Sequence, residues 1–387
     1  MFHRVHNVRL AGLRAAVPTE EIRLEDESGF YGGSLKKVAR MRATLGMDRR
    51  RVCPPDVTAS DLCAHAATDL LAALPAAVPT IDALVFVSQS PDWNQPATAC
   101  ELQHRLGLPT TCATFDVNQG CTGYIYGLWI AASLVAAGAA RHALLLVGDA
   151  HAAGRDPRNR VMAPVFGDGG SATLLARDEA APPMQFGFGT DGSQFETIIT
   201  PGAQARIPLL RDPAANAVLA EDILDPLGNP WQLSDAWMDG GAVFNFTMDV
   251  VPAHLAAALH HAGLGPDDID LLALHQANGQ IVRTVADKAG FPPEKAPAAS
   301  FSRYGNLAAA SIPACLCDAA GTETSPGRVL MCGYGIGLAW GSCLCDIERW
   351  NCAPTLDFAP DPGRPTRAER IARWQKIIRG EISRHDH

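Results

Sequence analysis

Along this chain, short wholly apolar runs alternate with longer Ala/Leu-rich stretches whose apolar positions recur at helical spacing. The first kind reads as strands buried on both faces, the second as helices. The pattern predicts strands over 8–15, 82–89, 112–117, 142–149, 171–177, 269–275, 328–333 and 341–347. It predicts helices over 57–75, 97–106, 121–138, 247–264, 277–290 and 306–320. Strands and helices alternating from end to end predict an α/β fold with buried sheets.

The order of the pieces repeats. In the first half a helix precedes the run from Ile81, and two helices later comes the run from Arg141. In the second half a helix precedes the run from Ile269, and two helices later comes the run from Arg328. The two separations are about 60 positions each, and a Gly-Ser strand (Gly170-Ser171, Gly341-Ser342) follows in both. An internal duplication of a unit of about 170 residues explains this order. It divides the chain into 1–178, 179–349 and a C-terminal extension, 350–387.

The duplication gives three residues a common address. Cys121 and Asn306 each open the equivalent helix of their half, and His275 ends the second half's equivalent strand. A pseudo-two-fold axis brings the two helix starts to one site, and strand ends in open α/β sheets are where ligands bind. At a helix start, unpaired N–H groups and positive partial charge stabilise a thiolate. Cys121 can equally be an inert core cysteine, His275 a packed histidine and Asn306 a plain N-cap. Their shared address favours catalysis. The glycine-rich turn Gly333-Tyr-Gly-Ile-Gly337 can present backbone N–H groups to a substrate oxygen.

Composition narrows the class. The chain has 387 residues, 47% hydrophobic and 19% charged, with net charge −9. An acidic balance gives no support to a nucleic-acid partner. No apolar run long enough for a membrane span and no signal-peptide pattern stands out, so a cytoplasmic location is expected. The 11 cysteines form no Cys-x-x-Cys pair and read as core residues, so no metal is expected.

The motifs Gln119-Gly-Cys-Thr-Gly123, Phe166-Gly-Asp-Gly-Gly-Ser171, His275-Gln-Ala-Asn278, Tyr304-Gly-Asn-Leu-Ala-Ala-Ala-Ser-Ile-Pro313 and Gly337-Leu-Ala-Trp-Gly-Ser342 stand in this order. Together they resemble the β-ketoacyl-acyl-carrier-protein synthase III family of the thiolase superfamily, over roughly residues 8–348. The resemblance implies a duplicated thiolase-like five-layer αβαβα fold and a homodimer. It implies Cys121 as nucleophile with His275 and Asn306 completing the site, and backbone N–H groups of Cys121 and Ile336 as the oxyanion hole. The substrates it implies are an acyl thioester of coenzyme A or acyl carrier protein and a malonyl thioester, with no separate cofactor. Gln95, Arg160 and Tyr334 fall at positions expected to contact substrate. Acyl transfer to an oxygen or nitrogen acceptor, and a partner subunit that only keeps the fold, are the competing readings.

Departures from the family concern the coenzyme A end. The N-terminal Trp and Arg-Thr-Gly-Ile stretch is replaced by Leu35-Lys-Lys-Val-Ala-Arg-Met, Gln280 stands for an Arg, and Gly241 and Asn245 stand for Asn and Lys. Gln95 replaces a bulky apolar residue. In the extension, Pro-rich 353–365 reads as a linker and Thr366–Glu369 as a capping box opening a basic amphipathic helix. That helix is either docked on its own enzyme or a site for an acidic carrier protein. Gly187-Phe-Gly-Thr-Asp-Gly192 fits GxGxxG but lacks the helix that a dinucleotide site requires.

Overall fold

The computed structural model describes residues 1–202, 204–320 and 326–383. Two sheets organise it. The first runs in the order Asn351–Cys352, Val8–Pro18, Gly169–Arg177, His142–Asp149, Ile81–Val87, Ala113–Val117. The second runs Phe2–Val5, Met184–Thr190, Ala339–Ile347, Gly327–Gly335, Leu271–Leu274. Ile81–Val87 is parallel to His142–Asp149, which is antiparallel to Gly169–Arg177. Leu271–Leu274, Gly327–Gly335 and Ala339–Ile347 repeat those directions. The duplicated order read from the sequence is thus a duplicated strand order in space.

Alternation along each strand sends successive side chains to opposite faces. Val85 and Leu145 join one cluster with Ile125, Leu128, Ile312, Leu316, Val329 and Met331, so the helices Gly123–Ala136 and Ser311–Ala320 lie between the two sheets. Leu84, Phe86 and Leu146 face Ala66, Leu70 and Leu102 of the helices Ala59–Ala73 and Thr98–Arg105. Leu272, Leu274 and Leu330 face Val251, Leu255, Val282 and Val285 of the helices Gly240–Ala262 and Gly279–Lys288. The result is the five-layer αβαβα order. The two central helices are largely apolar because both sheets cover them, Asp318 of the second being paired with Arg303 at 2.7 Å.

Several boundaries differ from the sequence pattern. The helix expected over 247–264 begins at Gly240, because Asp239 Oδ1 caps it by accepting from Ala242 N at 2.9 Å. It is long and apolar enough to cross a bilayer, but its Val251, Leu255 and Leu259 are buried against the second sheet. Met184–Thr190 is an interior strand that the glycine-rich sequence conceals. A Cβ at Gly187 or Gly189 would overlap Phe2 or Trp340, so the GxGxxG pattern records strand packing. The stretch 353–365 is not only a linker: Asn351–Cys352 and Leu356–Phe358 pair in parallel with Val8–Pro18.

Candidate active site

Cys121 lies in the turn between the strand Ala113–Val117 and the helix Gly123–Ala136, two residues ahead of the first helical position. The glycine turn of the second half packs directly on it. A Cβ at Gly333 would sit 2.8 Å from the Cys121 carbonyl oxygen, and one at Gly335 would sit 2.9 Å from Sγ. Gly335 also has φ of +149°, which side chains disfavour. The Ile336 and Cys121 N–H groups both donate toward the sulfur, the pair expected to form the oxyanion hole.

The charge state differs from the expectation of a standing thiolate. Burial pushes the Cys121 thiol up to about 11; the Ile336 N–H opposes this, the Asp149 carboxylate adds to it, and the Cys121 N–H opposes it less strongly. The helix start alone does not overcome desolvation, so the thiol is neutral near pH 7. Cys121 nonetheless keeps some accessible surface at the bottom of an open cavity of about 1730 Å³.

His275 and Asn306 line the same cavity. His275 is held by backbone and side chain: its N–H donates to Cys332 O at 2.8 Å, and Nδ1 lies 2.7 Å from Ser311 Oγ. Burial lowers its pKa to about 4, against the Ala308 carbonyl, so the ring is neutral near pH 7. Ser311 Oγ accepts from Gln276 N at 3.4 Å, which leaves the hydroxyl proton for Nδ1. A ring proton on Nε2 is compatible with this pair, the hydroxyl then donating to Nδ1.

Asn306 does not begin the helix itself; helical turns start at Ala308 and the α-helix at Ser311. Its backbone is clamped by donation to Val165 O at 2.9 Å and by acceptance from Gly167 N at 3.0 Å. Oδ1 accepts from Ala308 N at 2.9 Å, so Nδ2 is the free donor, with no protein acceptor among the described residues. The Phe166-Gly-Asp-Gly-Gly-Ser motif supports this. Phe166 forms a parallel bridge with Asn306, and buried Asp168 accepts from Cys53, His151 and Ala152 N at 2.8–2.9 Å. Asp149 joins the two halves by accepting from Gln89 N at 2.8 Å and Ala309 N at 3.2 Å. Asp168 and Ser311 sit inside the quoted motifs and Asp149 ends a strand, but their supporting roles carry no signal in sequence spacing, since their partners lie far along the chain.

The other expected contacts fare differently. Tyr334 lines the cavity, but its hydroxyl donates to the His275 carbonyl at 3.1 Å and its ring meets the imidazole edge-on at 5.5 Å. It buttresses the histidine. Gln95 is exposed and does not line the cavity, although Trp93, Asn94 and Pro96 beside it do. A loop side chain's direction is set by tertiary packing, and here Gln95 points outward. Arg160 also misses the cavity. Its guanidinium donates to Glu27 Oε2 at 3.1 Å, to Pro157 O at 2.7 Å and to the Tyr31 hydroxyl, and lies 4.5 Å from the Tyr31 ring centroid. Ion pairing inside the protein consumes it.

Arginines just beyond the Leu35–Met41 stretch are likewise paired, Arg50 with buried Glu27 at 2.6 Å, Arg49 with Glu21 at 3.2 Å and Arg42 with Glu25 at 3.1 Å. Gln280, Gly241 and Asn245 are exposed and outside the cavity lining.

The chain is similar to known proteins over most of its length. Family models described as 3-Oxoacyl-[acyl-carrier-protein (ACP)] synthase III and its C-terminal domain match residues 115–192 and 259–347. A Campylobacter jejuni protein, provisionally named a 3-oxoacyl-[acyl-carrier-protein] synthase 3, is 32% identical over 346 residues, 89% of this chain and 95% of its own. The beta-ketoacyl-[acyl-carrier-protein] synthase III of Rhodopirellula baltica is 30% identical over 358 residues, 87% of this chain and 97% of its own. The crystal structure of the 3-oxoacyl-(acyl-carrier protein) synthase of Burkholderia xenovorans superposes with a TM-score of 0.82 at 32% identity, covering 92% of this chain and 99% of that one.

Proposed function

The chain belongs to the 3-oxoacyl-[acyl-carrier-protein] synthase III family of condensing enzymes, and from that premise we propose a two-stage reaction on Cys121. The sulfur attacks the carbonyl carbon of an acyl thioester, and the thiol proton goes to the departing thiolate. The tetrahedral oxyanion is received by the Cys121 and Ile336 N–H groups; one such donor is worth about 10²–10³ in rate. The products are an acyl-Cys121 thioester and free coenzyme A or carrier thiol.

In the second stage a malonyl thioester loses CO₂. The electron pair of the broken C–C bond becomes an enolate, whose oxygen accepts from His275 Nε2–H and Asn306 Nδ2–H. Both donors are neutral before reaction, so they stabilise the new charge without holding the departing carboxylate. The enolate carbon attacks the acyl carbonyl, the C–S bond breaks, and the Cys121 thiolate regains a proton as the β-ketoacyl product leaves.

The observation that carries this reading is the closure of Gly335 and Ile336 of the second half onto the Cys121 sulfur of the first, in the cavity that also holds His275 and Asn306. The same reading takes acyl carrier protein as a partner for the basic helix Arg367–Ile378 and a homodimer as the working unit. Intact-protein mass spectrometry with a panel of acyl thioesters, beside Cys121→Ala, tests the first stage. An acyl mass on the wild type alone is expected. Labelled CO₂ release on adding malonyl thioester tests the second; a product without CO₂ would point to transfer onto an oxygen or nitrogen acceptor instead.

A further inference from the structure

Arg155 lines the catalytic cavity with no anionic partner of its own. Its guanidinium lies 4.2 Å from the centroid of the Phe166 ring, and Phe166 is the residue bridged to Asn306. The Nε atom is buried and has no acceptor, and no ion pair reaches the side chain among the described residues. Burial pushes its pKa down to about 10, against the attraction of Asp168, Asp235 and Asp149. None of the three forms an ion pair with the guanidinium; they attract it from a distance. Asp168 and Asp149 hold backbone N–H groups as described, and Asp235 Oδ2 accepts from Gln232 N at 2.8 Å. Asp156, also on the cavity wall, is held by Arg158.

A half-buried guanidinium whose Nε lacks an acceptor has unused donor capacity toward the cavity, and its planar fork matches a carboxylate in two parallel bonds. The cavity wall is mainly apolar, with Phe86, Phe115 and Val161 among its residues, so Arg155 is one of few cationic groups a bound acyl chain could meet there. Resting on the thioester reading above, we propose that Arg155 selects a donor acyl group ending in a carboxylate, so that the enzyme loads a dicarboxylic acyl thioester onto Cys121.

Two other anions are disfavoured by position and chemistry. A phosphopantetheine phosphate lies the whole length of the pantetheine arm from the reacting carbonyl, whereas Arg155 is one side chain removed from Asn306. The malonyl carboxylate must leave as CO₂, and a guanidinium paired to it would stabilise the ground state and oppose that loss. The distal carboxylate of a donor takes no part in bond changes. Transfer moves the acyl carbon from the donor sulfur to Sγ, the thiol proton goes to the leaving thiolate, and the distal carboxylate stays paired with Arg155.

Succinyl- and butyryl-coenzyme A, and glutaryl- and pentanoyl-coenzyme A, form chain-matched pairs for the test. Rates of acyl-Cys121 formation are read by intact-protein mass spectrometry for wild type, Arg155→Met and Arg155→Lys. The expected result is a wild-type preference for the carboxylate-ended donor of roughly tenfold or more, reversed in Arg155→Met and partly kept in Arg155→Lys. Equal or faster loading of the neutral donors by the wild type overturns the inference, whatever the variants do. It is also overturned if Arg155→Met raises only the KM for malonyl thioester, which assigns the residue to the extender. Loss of discrimination between coenzyme A and short pantetheine thioesters of one acyl group, with acyl preference intact, assigns it to the phosphates and overturns it too. Absence of any adduct on Cys121 with any donor refutes the thioester reading itself, and this inference with it.

Discussion

His275 Nδ1 sits 2.7 Å from Ser311 Oγ, a hydroxyl 36 positions further along the chain on the first turn of the second half's central helix. The bond fixes the direction of the ring, and in the proposed reaction the ring proton sits on Nε2. Ser311→Ala therefore leaves Nδ1 without a partner in a buried site, at a stability cost of about 1–2 kcal/mol. Condensation is expected to fall roughly tenfold while acyl-Cys121 formation is preserved, since only the second stage uses His275. A histidine carbon-proton NMR titration separates this from general damage: the Ser311→Ala ring changes its tautomer signature, which a packing defect elsewhere would not produce.

In the proposed reaction Gly335 shapes the oxyanion side of the site. A Cβ there would lie 2.8 Å from Cys121 Cβ and 2.9 Å from Sγ, at a backbone angle side chains resist. Gly335→Ala must move either the cysteine or the Ile336 N–H. Acylation by thioesters is expected to drop about 10²-fold or more, the scale of one lost oxyanion donor. Wild-type rates of acyl-enzyme formation in this variant would refute the assignment of Ile336.

The raised thiol makes its own prediction. With Cys121 pushed up to about 11, carbamidomethylation at this residue should climb about tenfold per pH unit from pH 7 to pH 10 without levelling off. A plateau near pH 8–9, read by site-resolved peptide mass spectrometry to exclude exposed Cys100, would mean that the helix start outweighs burial after all.

Much of this architecture was legible in the linear pattern, for physical reasons that also explain the gaps. Strands buried on both faces are apolar throughout, so Ile81–Val87 and His142–Asp149 announce themselves; Met184–Thr190 does not, because glycines there make room for Phe2 and Trp340. The helix start carrying Cys121 and the strand end carrying His275 follow from the duplicated order. Ser311, Asp149 and Arg155 could not be found that way, because their roles depend on partners contributed by distant segments. Gln95 and Arg160 show the reverse. Position in a motif placed them near the cavity, but side-chain direction turned one outward and Glu27 with Tyr31 captured the other.

The terminal helix Arg367–Ile378 is held at its start and by one aromatic contact. Arg367 N donates to Asp56 Oδ1 at 2.6 Å, Arg370 to the Asp56 carbonyl at 2.9 Å, and Trp374 meets Trp93 edge-on at 6.3 Å. None of its residues is buried, and Ile378 is 81% exposed. Ending the chain after Pro365 is therefore expected to lower stability by only about 1 kcal/mol. Ending it after Trp350 would instead strip two strands from the first sheet. If the basic helix receives the acidic carrier, the shorter truncation raises KM for carrier-bound donors severalfold and leaves coenzyme A donors unaffected. Equal effects on both would remove the carrier from this surface.

Two buried histidines should make the fold acid-labile in a defined window. Burial lowers His275 and His254 to about 4, and His254 Nε2 lies 2.9 Å from Ser342 Oγ against the stacked Phe2 ring. The unfolded chain takes up protons near 6.5 while the folded protein refuses them until about 4. Stability is then fully present above pH 6.5 and declines as pH falls toward 4. The loss between pH 7 and pH 5 is about 2 kcal/mol per histidine. Urea unfolding at the two pH values measures it, and His275→Gln, which cannot titrate, should remove about half of the combined dependence. A pH-independent midpoint in the wild type would mean that both rings are solvated enough to protonate in the folded state.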